Sequence, residues 1–417
     1  MKQIRIQGGN KLSGTIRISG AKNSAVALIP ASILADDIVR IDNIPNISDI
    51  EALNEILEYL GAKVELNDGL IAIDPSSIEN KDIPKEISSK LRASYYFMSA
   101  LLGKYKHVSM YFPGGCKIGA RPIDQTLKGF KALGAKVEEK DNKFTIDAER
   151  LVGGHVYLDM PSVGATINTM LVAVKAEGIT IIENAAKEPE IVNVATFLNN
   201  MGAKIRGAGT SEIRIEGVNS LKGCFSEVIP DRIETGTYII AGALLGDNLK
   251  IENIIPEHVE ALTLKLKEMG VNINIENDYA IVNKTNNLKA ISLRTLGYPG
   301  FPTDLQQPLT TLLTQCEGVS LLEETIYENR FQNVPYLADM GAHIGIEGRK
   351  LKVKGPTKLI GTEVVATDLR AGACLVLAGL VADGTTIIKD IEHVLRGYEN
   401  IIEQLTNVGA KISLEEI

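Results

Sequence analysis

The chain has 417 residues, of which 45% are hydrophobic and 23% charged, an ordinary composition for a soluble globular protein and long enough for two domains. Its formal net charge of −8, without any sustained run of lysine and arginine, argues against a general nucleic-acid binder. An acidic protein repels anions at long range, so an anionic substrate would require a local cationic pocket.

The first strongly apolar segment, AVALIPASILA at 25–35, follows a polar alternating stretch and a glycine-containing turn. It predicts a buried helix rather than the core of a signal peptide, and no apolar run reaches the length that a membrane span requires. The four cysteines and five histidines show neither CxxC pairs nor zinc-ligand spacing. We therefore predict a cytoplasmic protein with free thiols and no metal.

An internal repeat is the most informative feature of the chain. A short motif recurs about every seventy residues, as LGAKVEL, LGAKVEE, MGAKIRG, MGVNINI, MGAHIGI and VGAKISL, starting at Leu60, Leu133, Met201, Met269, Met340 and Val408. Apolar residues before the first copy fall at helical spacing, and Ser48 with Glu51 predicts a capping box at the start of that helix. Each glycine is expected to end its helix in the left-handed conformation, and an alternating strand follows.

A second helix is predicted upstream of each motif, and each is followed by a strand such as GITIIENA or GTTIIKDI. The repeated unit is therefore two helices interleaved with several short strands. Six such units predict an α/β protein with three units in each of two similar domains.

The upstream helices begin with charged or small polar residues. These are Lys22 and Asn23, Arg92, Ser162 to Gly164, Asp231 and Arg232, Asp304, and Arg370. A helix N-terminus already carries partial positive charge, so an added cation there suits a phosphate or carboxylate ligand better than it suits stability. Solvated charges remain a reasonable interpretation for any one position, but the set favours an anion-binding site.

The segment FPGGCKIGARP, at 112–122, places Cys116 among glycines and cations. Its glycines and prolines predict a loop, and neighbouring cations would lower the pKa of the thiol. Cys224, Cys316 and Cys374 have apolar or small neighbours and are interpreted as structural thiols. The isolated histidines 155 and 393 are interpreted as structural, and the glutamates at 188 and 190 as cleft or substrate-domain contacts rather than an acid pair.

Ten motifs, in this order along the chain, resemble the UDP-N-acetylglucosamine enolpyruvyl transferases (the MurA family). They are ISGAKNSA (18–25), LRAS (91–94), PGGCKIGARP (113–122), PSVGATIN (161–168), KEPEIV (187–192), PDRIETGT (230–237), FPTD (301–304), YENRF (327–331), ATDLRAGA (366–373) and RGYE (396–399). The related shikimate-pathway transferases lack the cysteine loop, so Cys116 favours the amino-sugar enzymes.

The resemblance implies a two-domain inside-out α/β barrel of six βαβαββ repeats, three per domain. One domain would comprise 1–21 and 230–417, and the other 22–229 with a mobile cysteine loop at about 112–122. It also implies that the chain crosses twice between the domains, with the active site in the cleft.

The implied reaction transfers the enolpyruvyl group of phosphoenolpyruvate to the 3-hydroxyl of UDP-N-acetylglucosamine and releases phosphate, the first committed step of peptidoglycan precursor synthesis. Cys116 would protonate the methylene carbon and Asp304 would accept the hydroxyl proton, with Lys22 and Arg396 also catalytic. The positions matching phosphoenolpyruvate contacts are Lys22, Asn23, Arg121, Arg330, Arg370 and Arg396. Those matching UDP-N-acetylglucosamine contacts are Asn23, Arg92, Arg121, Pro122, Ile123, Asp124, Gln125, Ser162, Val163, Gly164, Asp304, Ile326 and Glu328.

The family implies no cofactor beyond phosphoenolpyruvate as co-substrate, small-molecule partners only, neither nucleic acid nor membrane, and a monomer or weak homo-oligomer. Two positions depart from its pattern: Thr126 stands where many members carry histidine, and Met160 where lysine is common. Both could weaken nucleotide binding. Two alternatives stay open: transfer to another acceptor such as shikimate 3-phosphate, and a non-catalytic UDP-sugar-binding paralogue.

Overall fold

The structure, a computed structural model, describes residues 2–112 and 123–416. The chain divides into two compact units, which we name the terminal unit (2–19 and 230–416) and the central unit (20–112 and 123–229). The predicted boundary lay between 21 and 22, two positions later. Hydrogen bonds account for the observed position: Asp231 N donates to Ser19 O within the terminal unit, and Ala21 N donates to Ile229 O within the central unit.

The terminal unit begins with two strands, and the central unit follows with seven helices and eleven strands among its described residues. The two strands are β1 (Lys2–Gln7) and β2 (Leu12–Arg17). The central elements are α1 (Lys22–Ala31), β3 (Val39–Asp42), α2 (Ser48–Leu60), β4 (Lys63–Asn67), β5 (Leu70–Asp74), α3 (Lys85–Ser88), α4 (Tyr95–Tyr105), β6 (His107–Tyr111), α5 (Asp124–Ala132), β7 (Lys136–Lys140), β8 (Lys143–Asp147), β9 (His155–Tyr157), α6 (Val163–Ala173), β10 (Ile179–Glu183), α7 (Pro189–Asn200), β11 (Lys204–Arg206), β12 (Glu212–Glu216) and β13 (Phe225–Glu227).

The remainder of the terminal unit repeats the same alternation of helices and strands. Its elements are α8 (Arg232–Leu245), β14 (Gly246–Glu252), α9 (Glu260–Met269), β15 (Asn272–Ile275), β16 (Tyr279–Asn283), β17 (Ser292–Arg294), α10 (Thr303–Leu313), β18 (Gly318–Glu323), α11 (Val334–Asp339), β19 (His343–Glu347), β20 (Lys350–Gly355), β21 (Glu363–Val365), α12 (Leu369–Val381), β22 (Thr385–Lys389), α13 (Glu392–Leu395), α14 (Ile401–Asn407) and β23 (Lys411–Glu416). Short 3₁₀ turns lie at Ser32–Leu34, Arg92–Ser94 and Pro256–Val259.

Within the described residues, each unit contains three small sheets. The orders are β11-β12-β10-β9, β13-β3-β5-β4 and β6-β8-β7 in the central unit, and β21-β22-β1-β23, β15-β16-β14-β2 and β17-β18-β20-β19 in the terminal unit. Five of these sheets combine antiparallel pairs with one parallel pair at an edge. The sixth sheet, β6-β8-β7, has an isolated parallel bridge from Ile83 to Met110 of β6 in place of a parallel strand. The predicted α/β class, with three βαβαββ repeats in each of two domains, is confirmed.

At each crossing of the chain, the last strand before the crossing pairs within its own unit. Strand β2, which leads into α1 of the central unit, pairs in parallel with β14, and Ile16 lies opposite Ile251. Strand β13, which leads into α8 of the terminal unit, pairs in parallel with β3, and Ser226 lies opposite Ile41. Strand β1 lies between β22 and β23 and is antiparallel to both. The terminal unit is therefore assembled from two separate stretches of the chain, 2–19 and 230–416.

Three helices in each unit are buried almost all round. In the central unit α4 packs against α1 and α6, and in the terminal unit α8, α10 and α12 pack against one another. Two glycines let α8 lie close to its neighbours. A Cβ on Gly236 would lie 2.5 Å from Leu305 Cδ1 of α10, and one on Gly242 would lie 2.7 Å from Val282 Cβ of β16. The apolar segment 25–35 is buried in α1 and the following 3₁₀ turn, as predicted. Across the part of the chain that the structure describes, no helix has both the length and the hydropathy needed to cross a bilayer.

All six repeat-motif glycines adopt the predicted left-handed conformation. The φ angles at Gly61, Gly134, Gly202, Gly270, Gly341 and Gly409 are 101°, 94°, 104°, 90°, 98° and 103°. The capping box predicted at Ser48 and Glu51 is wrong. Ser48 is already the first helical residue of α2, and the extended Ile47 occupies the N-cap position, so no side chain caps this helix.

Replacing Gly270 with alanine is expected to lower the free energy of unfolding by about 1–2 kcal/mol, since an L-residue pays that cost in the left-handed region. No atom lies within 4 Å of the Cβ that would be added, so the cost comes from the backbone alone. Gly345→Ala is the control, because its Cβ also meets nothing within 4 Å and its φ is not left-handed. Urea unfolding that shows equal effects for the two variants would contradict this account of the motif.

Candidate active site

The residues predicted for the site divide between the two units, and most lie where a buried helix begins. Asp304 and Arg370 are the second residues of α10 and α12, Lys22 is the first residue of α1, and Arg92 opens the 3₁₀ turn before α4. These helices are too apolar to tolerate charge along their length, so charged side chains occur at their ends. Cys116, Arg121 and Pro122 lie outside the described residues.

In the terminal unit, Asp304 is held between two arginines, a group that we name the Asp304 triad. Arg330 Nη2 donates to Asp304 Oδ1 at 2.9 Å, and Arg370 Nη2 donates to Oδ2 at 3.1 Å. The arginine side chains are only 3% and 4% exposed, whereas the Asp304 side chain is 25% exposed. The structure therefore brings three predicted residues together, with the carboxylate as the more accessible member.

The electrostatics of the Asp304 triad keep its carboxyl group ionised. Burial alone would raise the pKa of Asp304, but Arg370, Arg330 and the more distant Arg232 outweigh it and hold that pKa well below its usual range. Both carboxylate oxygens accept a charge-assisted hydrogen bond. While both arginines stay in place, Asp304 is consequently a weak proton acceptor.

A tyrosine supports the second arginine of the triad. The Arg370 guanidinium lies 5.4 Å from the ring centroid of Tyr398, and the Tyr398 hydroxyl is 2.9 Å from Thr237 Oγ1 on α8. Tyr398 is buried, and it belongs to the motif RGYE, in which sequence reasoning singled out only Arg396. The sequence signal that could have identified Tyr398 is its position two residues after Arg396, a predicted ligand of the substrate.

Glu324 is another residue that sequence reasoning missed. It is 1% exposed, and its Oε1 accepts hydrogen bonds from Thr295 Oγ1 and from the backbone N of Ile326 and Tyr327. Its Oε2 accepts from Thr303 Oγ1, one residue before Asp304. Glu324 thereby ties the loop leading to Arg330 to the start of α10, an arrangement with no signature in the sequence.

Three predicted residues of the terminal unit lie at its surface or have other contacts. Glu328 is exposed and accepts a hydrogen bond from Arg349 Nη2 at 3.1 Å. Ile326 is 40% exposed. Arg396 is partly buried and directly follows α13.

In the central unit, Lys22 forms a shielded ion pair. Lys22 Nζ lies 2.7 Å from Asp49 Oδ2, and the two side chains are 14% and 7% exposed. Asp49 is in the first turn of α2, where sequence reasoning considered only the capping of the helix. Asn23 is the next residue of α1 and is partly buried. The pair fixes the ammonium group at the start of α1.

Arg92 and the start of α6 are connected through Tyr95. The Arg92 guanidinium lies 5.7 Å from the Tyr95 ring centroid and 5.5 Å from that of Phe112. A Cβ on Gly164 would lie 2.0 Å from the Tyr95 hydroxyl oxygen, so glycine is required for this contact. Ser162 caps α6 by accepting a hydrogen bond from Ala165 N. The predicted Arg92 and Ser162–Gly164 segments are therefore neighbours.

The predicted residues 123–125 lie at the start of α5. Gln125 Nε2 donates to Asp159 Oδ2 at 3.0 Å, and Asp159 N donates to Gln125 Oε1 at 2.8 Å. Of the two departures from the family pattern, Thr126 is 3% exposed and Met160 is 62% exposed. Met160 is thus an accessible position, whereas Thr126 is part of the packed interior.

The three described cysteines are free and shielded. Burial raises the pKa of the Cys224 and Cys374 thiols to about 11 and that of Cys316 to about 12. They are poor nucleophiles at neutral pH, in agreement with the structural interpretation. Among residues 2–112 and 123–416, no group of three or more histidine, cysteine or acidic side chains could hold a metal ion.

Comparison with known proteins assigns the chain to a family. The family model described as EPSP synthase (3-phosphoshikimate 1-carboxyvinyltransferase) matches residues 6–405. UDP-N-acetylglucosamine 1-carboxyvinyltransferase 2 of Bacillus subtilis is 53% identical over 418 residues, covering 100% of this chain and 97% of the relative. The chain belongs to the UDP-N-acetylglucosamine 1-carboxyvinyltransferase family, within the EPSP synthase superfamily. UDP-N-acetylglucosamine 1-carboxyvinyltransferase 2 of Listeria monocytogenes is also 53% identical, covering 99% of this chain and 97% of the relative.

Solved structures agree with the assignment of the fold to this enolpyruvyl transferase superfamily. The enolpyruvyl transferase NikO from Streptomyces tendae superposes with a TM-score of 0.90 at 28% identity, covering 99% of each chain. EPSP synthase from Acinetobacter baumannii superposes with a TM-score of 0.79 at 18% identity over the whole of both chains. The second likeness concerns the fold alone.

Proposed function

We propose that this protein transfers the enolpyruvyl group of phosphoenolpyruvate to the 3-hydroxyl of UDP-N-acetylglucosamine, with release of phosphate. The observation that carries the proposal is the Asp304 triad, an accessible carboxylate held by two buried arginines. It occurs in a chain that is 53% identical, over its full length, to proteins named for this transfer. The membership of the family supports this acceptor over shikimate 3-phosphate.

The Asp304 triad suits an anionic substrate because it carries two positive charges against one negative. Arg330 Nη1 is buried and has no hydrogen-bond partner among the described residues, so one strong donor is available to a ligand oxygen. At an effective dielectric constant near 20, an ion pair separated by about 4 Å gains roughly 4 kcal/mol before desolvation. We assign Arg330 and Arg370 to the binding of phosphoenolpyruvate, together with Lys22, Asn23, Arg121 and Arg396.

Anion binding would also activate Asp304 as a base. In the free protein, both oxygens of its carboxylate accept hydrogen bonds from arginine. A phosphate or carboxylate that competes for these guanidinium groups weakens their hold, and the pKa of Asp304 then rises towards its usual range. Asp304 would accept the proton of the 3-hydroxyl only once phosphoenolpyruvate is bound.

The protons of the reaction balance in two stages. In the addition, the 3-hydroxyl oxygen bonds to the central carbon of phosphoenolpyruvate while its proton passes to Asp304 and the methylene carbon gains one proton. In the elimination, phosphate leaves and the new methyl group returns one proton to the conjugate base of the acid that supplied it, which restores the double bond. Asp304 then releases the hydroxyl proton to phosphate or solvent. We assign the acid that protonates the methylene carbon to Cys116, on the basis of its sequence motif alone.

The positions that match the family's UDP-N-acetylglucosamine contacts are assigned to the nucleotide sugar. From the central unit we assign Asn23, Arg92, Arg121, Pro122, Ile123, Asp124, Gln125, Ser162, Val163 and Gly164, and from the terminal unit Asp304, Ile326 and Glu328. The Arg92–Tyr95–Gly164 contacts support the role of the α6 start, because they place a cation beside the N-terminus of a helix. The exposed Met160 lies near this segment in sequence, without the positive charge common in the family.

The test is the release of phosphate from phosphoenolpyruvate by the purified protein. We expect turnover with UDP-N-acetylglucosamine and none without an acceptor. Turnover that prefers shikimate 3-phosphate would replace the proposed acceptor. Binding of UDP-N-acetylglucosamine without any phosphate release, by wild type and Cys116→Ala alike, would identify a non-catalytic paralogue.

A further inference from the structure

A buried amide lies directly behind the Asp304 triad. Gln307 is one helical turn after Asp304 on α10, and its side chain is fully buried. Its Oε1 accepts from Arg330 Nε at 3.5 Å, while its Nε2 donates to Asn333 Oδ1 and to Asp368 Oδ2, both at 3.4 Å. One amide thus presents its acceptor to a cation and its donors to an anion.

The partner of Gln307 on α12 connects it to the second arginine. Asp368 is the N-cap of α12, where its Oδ1 accepts from the backbone N of Arg370 and Ala371 at 2.9 and 3.0 Å. Its other oxygen faces Gln307. Gln307 is therefore linked to the Arg330 guanidinium directly and to the backbone of Arg370 through one carboxylate.

Polar contacts with Asp304 and Gln307 orient the Arg330 guanidinium, which also lies 5.3 Å from the ring centroid of Tyr327. Nη2 is fixed by Asp304 and Nε faces Gln307, while Nη1 has no hydrogen-bond partner among residues 2–112 and 123–416. Two fixed nitrogens on one planar group determine the direction in which the third points. Without Gln307, the guanidinium could rotate about its contact with Asp304 and turn Nη1 away from an incoming anion.

We propose that Gln307 is a positioning residue that aims Arg330, and through Asp368 the start of the helix carrying Arg370, at the anionic groups of phosphoenolpyruvate. This inference rests on the proposed function. Only a neutral amide suits the position. A carboxylate there would face Asp368 Oδ2 and repel it, and an apolar side chain would leave Arg330 Nε and Asp368 Oδ2 without these partners.

Two variants of Gln307 separate orientation from packing. Gln307→Met removes the polar contacts at similar volume, and Gln307→Glu keeps the shape but reverses the interaction with Asp368. We expect Gln307→Met to raise the KM for phosphoenolpyruvate about tenfold, equivalent to about 1.4 kcal/mol, and Gln307→Glu to raise it at least as much. The KM for UDP-N-acetylglucosamine should change less than about threefold in both, because Arg330 and Arg370 are assigned to the other substrate.

Gln315→Met is the matched control. Gln315 lies just beyond the end of α10, and its amide donates to Thr314 Oγ1 and Thr357 O rather than to the arginine network. Loss of that amide should lower the thermal unfolding temperature without altering either KM.

Steady-state phosphate release and thermal unfolding of the four proteins decide between the outcomes. A normal KM for phosphoenolpyruvate in either Gln307 variant, an equal rise in both KM values, or the same kinetic change in Gln315→Met would overturn the inference while leaving the proposed function intact. A wild-type protein that releases no phosphate would overturn the proposed function first, and the positioning role with it.

Discussion

Replacing Asp304 with asparagine is expected to reduce phosphate release about 10²- to 10⁴-fold, the range for loss of a positioned acid or base. Asparagine keeps the size of the side chain but cannot accept the hydroxyl proton. Binding of phosphoenolpyruvate should be retained or tightened, because Arg330 and Arg370 no longer share their donors with a carboxylate. Steady-state rates and equilibrium binding of phosphoenolpyruvate measure the two effects separately.

The same variant should also unfold more easily, because removing the carboxylate leaves two buried guanidinium groups uncompensated. Breaking a buried ion pair in this way costs about 3 kcal/mol or more. The folded-state pKa of Asp304 is depressed, so its stabilisation is fully present above about pH 4, the unfolded value, and is lost as pH falls through the folded-state pKa. The stability difference between wild type and Asp304→Asn should be equal at pH 7 and pH 5 and smaller below about pH 4.

Asp247→Asn provides the comparison for Asp304→Asn. Asp247 forms an exposed ion pair with Lys11 at 3.3 Å, and exposed pairs contribute about 0–1 kcal/mol. The Asp247→Asn variant should therefore keep nearly the same rate of phosphate release and the same free energy of unfolding in urea as the wild type. Full activity of Asp304→Asn, or a stability loss no greater than that of Asp247→Asn, would contradict the role assigned to the Asp304 triad.

Replacing Cys116 with alanine is the second change expected to have a large effect, again about 10²- to 10⁴-fold on phosphate release. The thiol follows two glycines and precedes a lysine in the sequence, and a neighbouring cation lowers the pKa of a thiol, so that it can serve both as an acid and as a nucleophile near neutral pH. We also expect the epoxide fosfomycin, a phosphoenolpyruvate mimic, to form a covalent adduct with Cys116. Intact-mass and peptide-mass measurements after incubation with fosfomycin would locate the adduct.

Cys224→Ala serves as the control for this thiol. Cys224 is partly buried, and burial raises its pKa to about 11, so it should not react at neutral pH. The Cys224→Ala variant should keep both turnover and the adduct, whereas Cys116→Ala should lose both. An adduct on Cys224, Cys316 or Cys374 would refute the assignment of the reactive thiol.

The repeat architecture could be predicted because its determinants are local. A glycine after an amphipathic helix, followed by an alternating strand, has the same backbone requirement in each copy, and Gly61 and Gly409 meet it equally. The positions of the helix starts could be predicted from the charged or small polar residues that precede each apolar segment. The capping box at Ser48 failed because a serine one position further along the helix gives the same sequence pattern.

The buried residues that orient the site could not be predicted, because they come from separate repeats of the chain. Gln307 on α10 meets Asn333 and Asp368, which are 26 and 61 positions away in the chain. Glu324 reaches Thr295 and Thr303 in a similar way. Of these residues only Thr303 and Asp368 lie in quoted motifs, FPTD and ATDLRAGA, in which other residues were singled out, so sequence reasoning found the arginines and the carboxylate but not the groups that orient them.

The placement of β1 constrains the order in which the protein can form during translation. Gln3 and Glu415, 412 positions apart, are joined by a side-chain hydrogen bond, and β1 pairs on its two sides with β22 and β23. Strand β1 cannot form its hydrogen bonds with β22 and β23 until the ribosome has synthesised almost the entire chain. The central unit has its own strands available much earlier, so a nascent chain stalled near residue 300 should already protect that unit from proteolysis while its first strand is still open to cleavage.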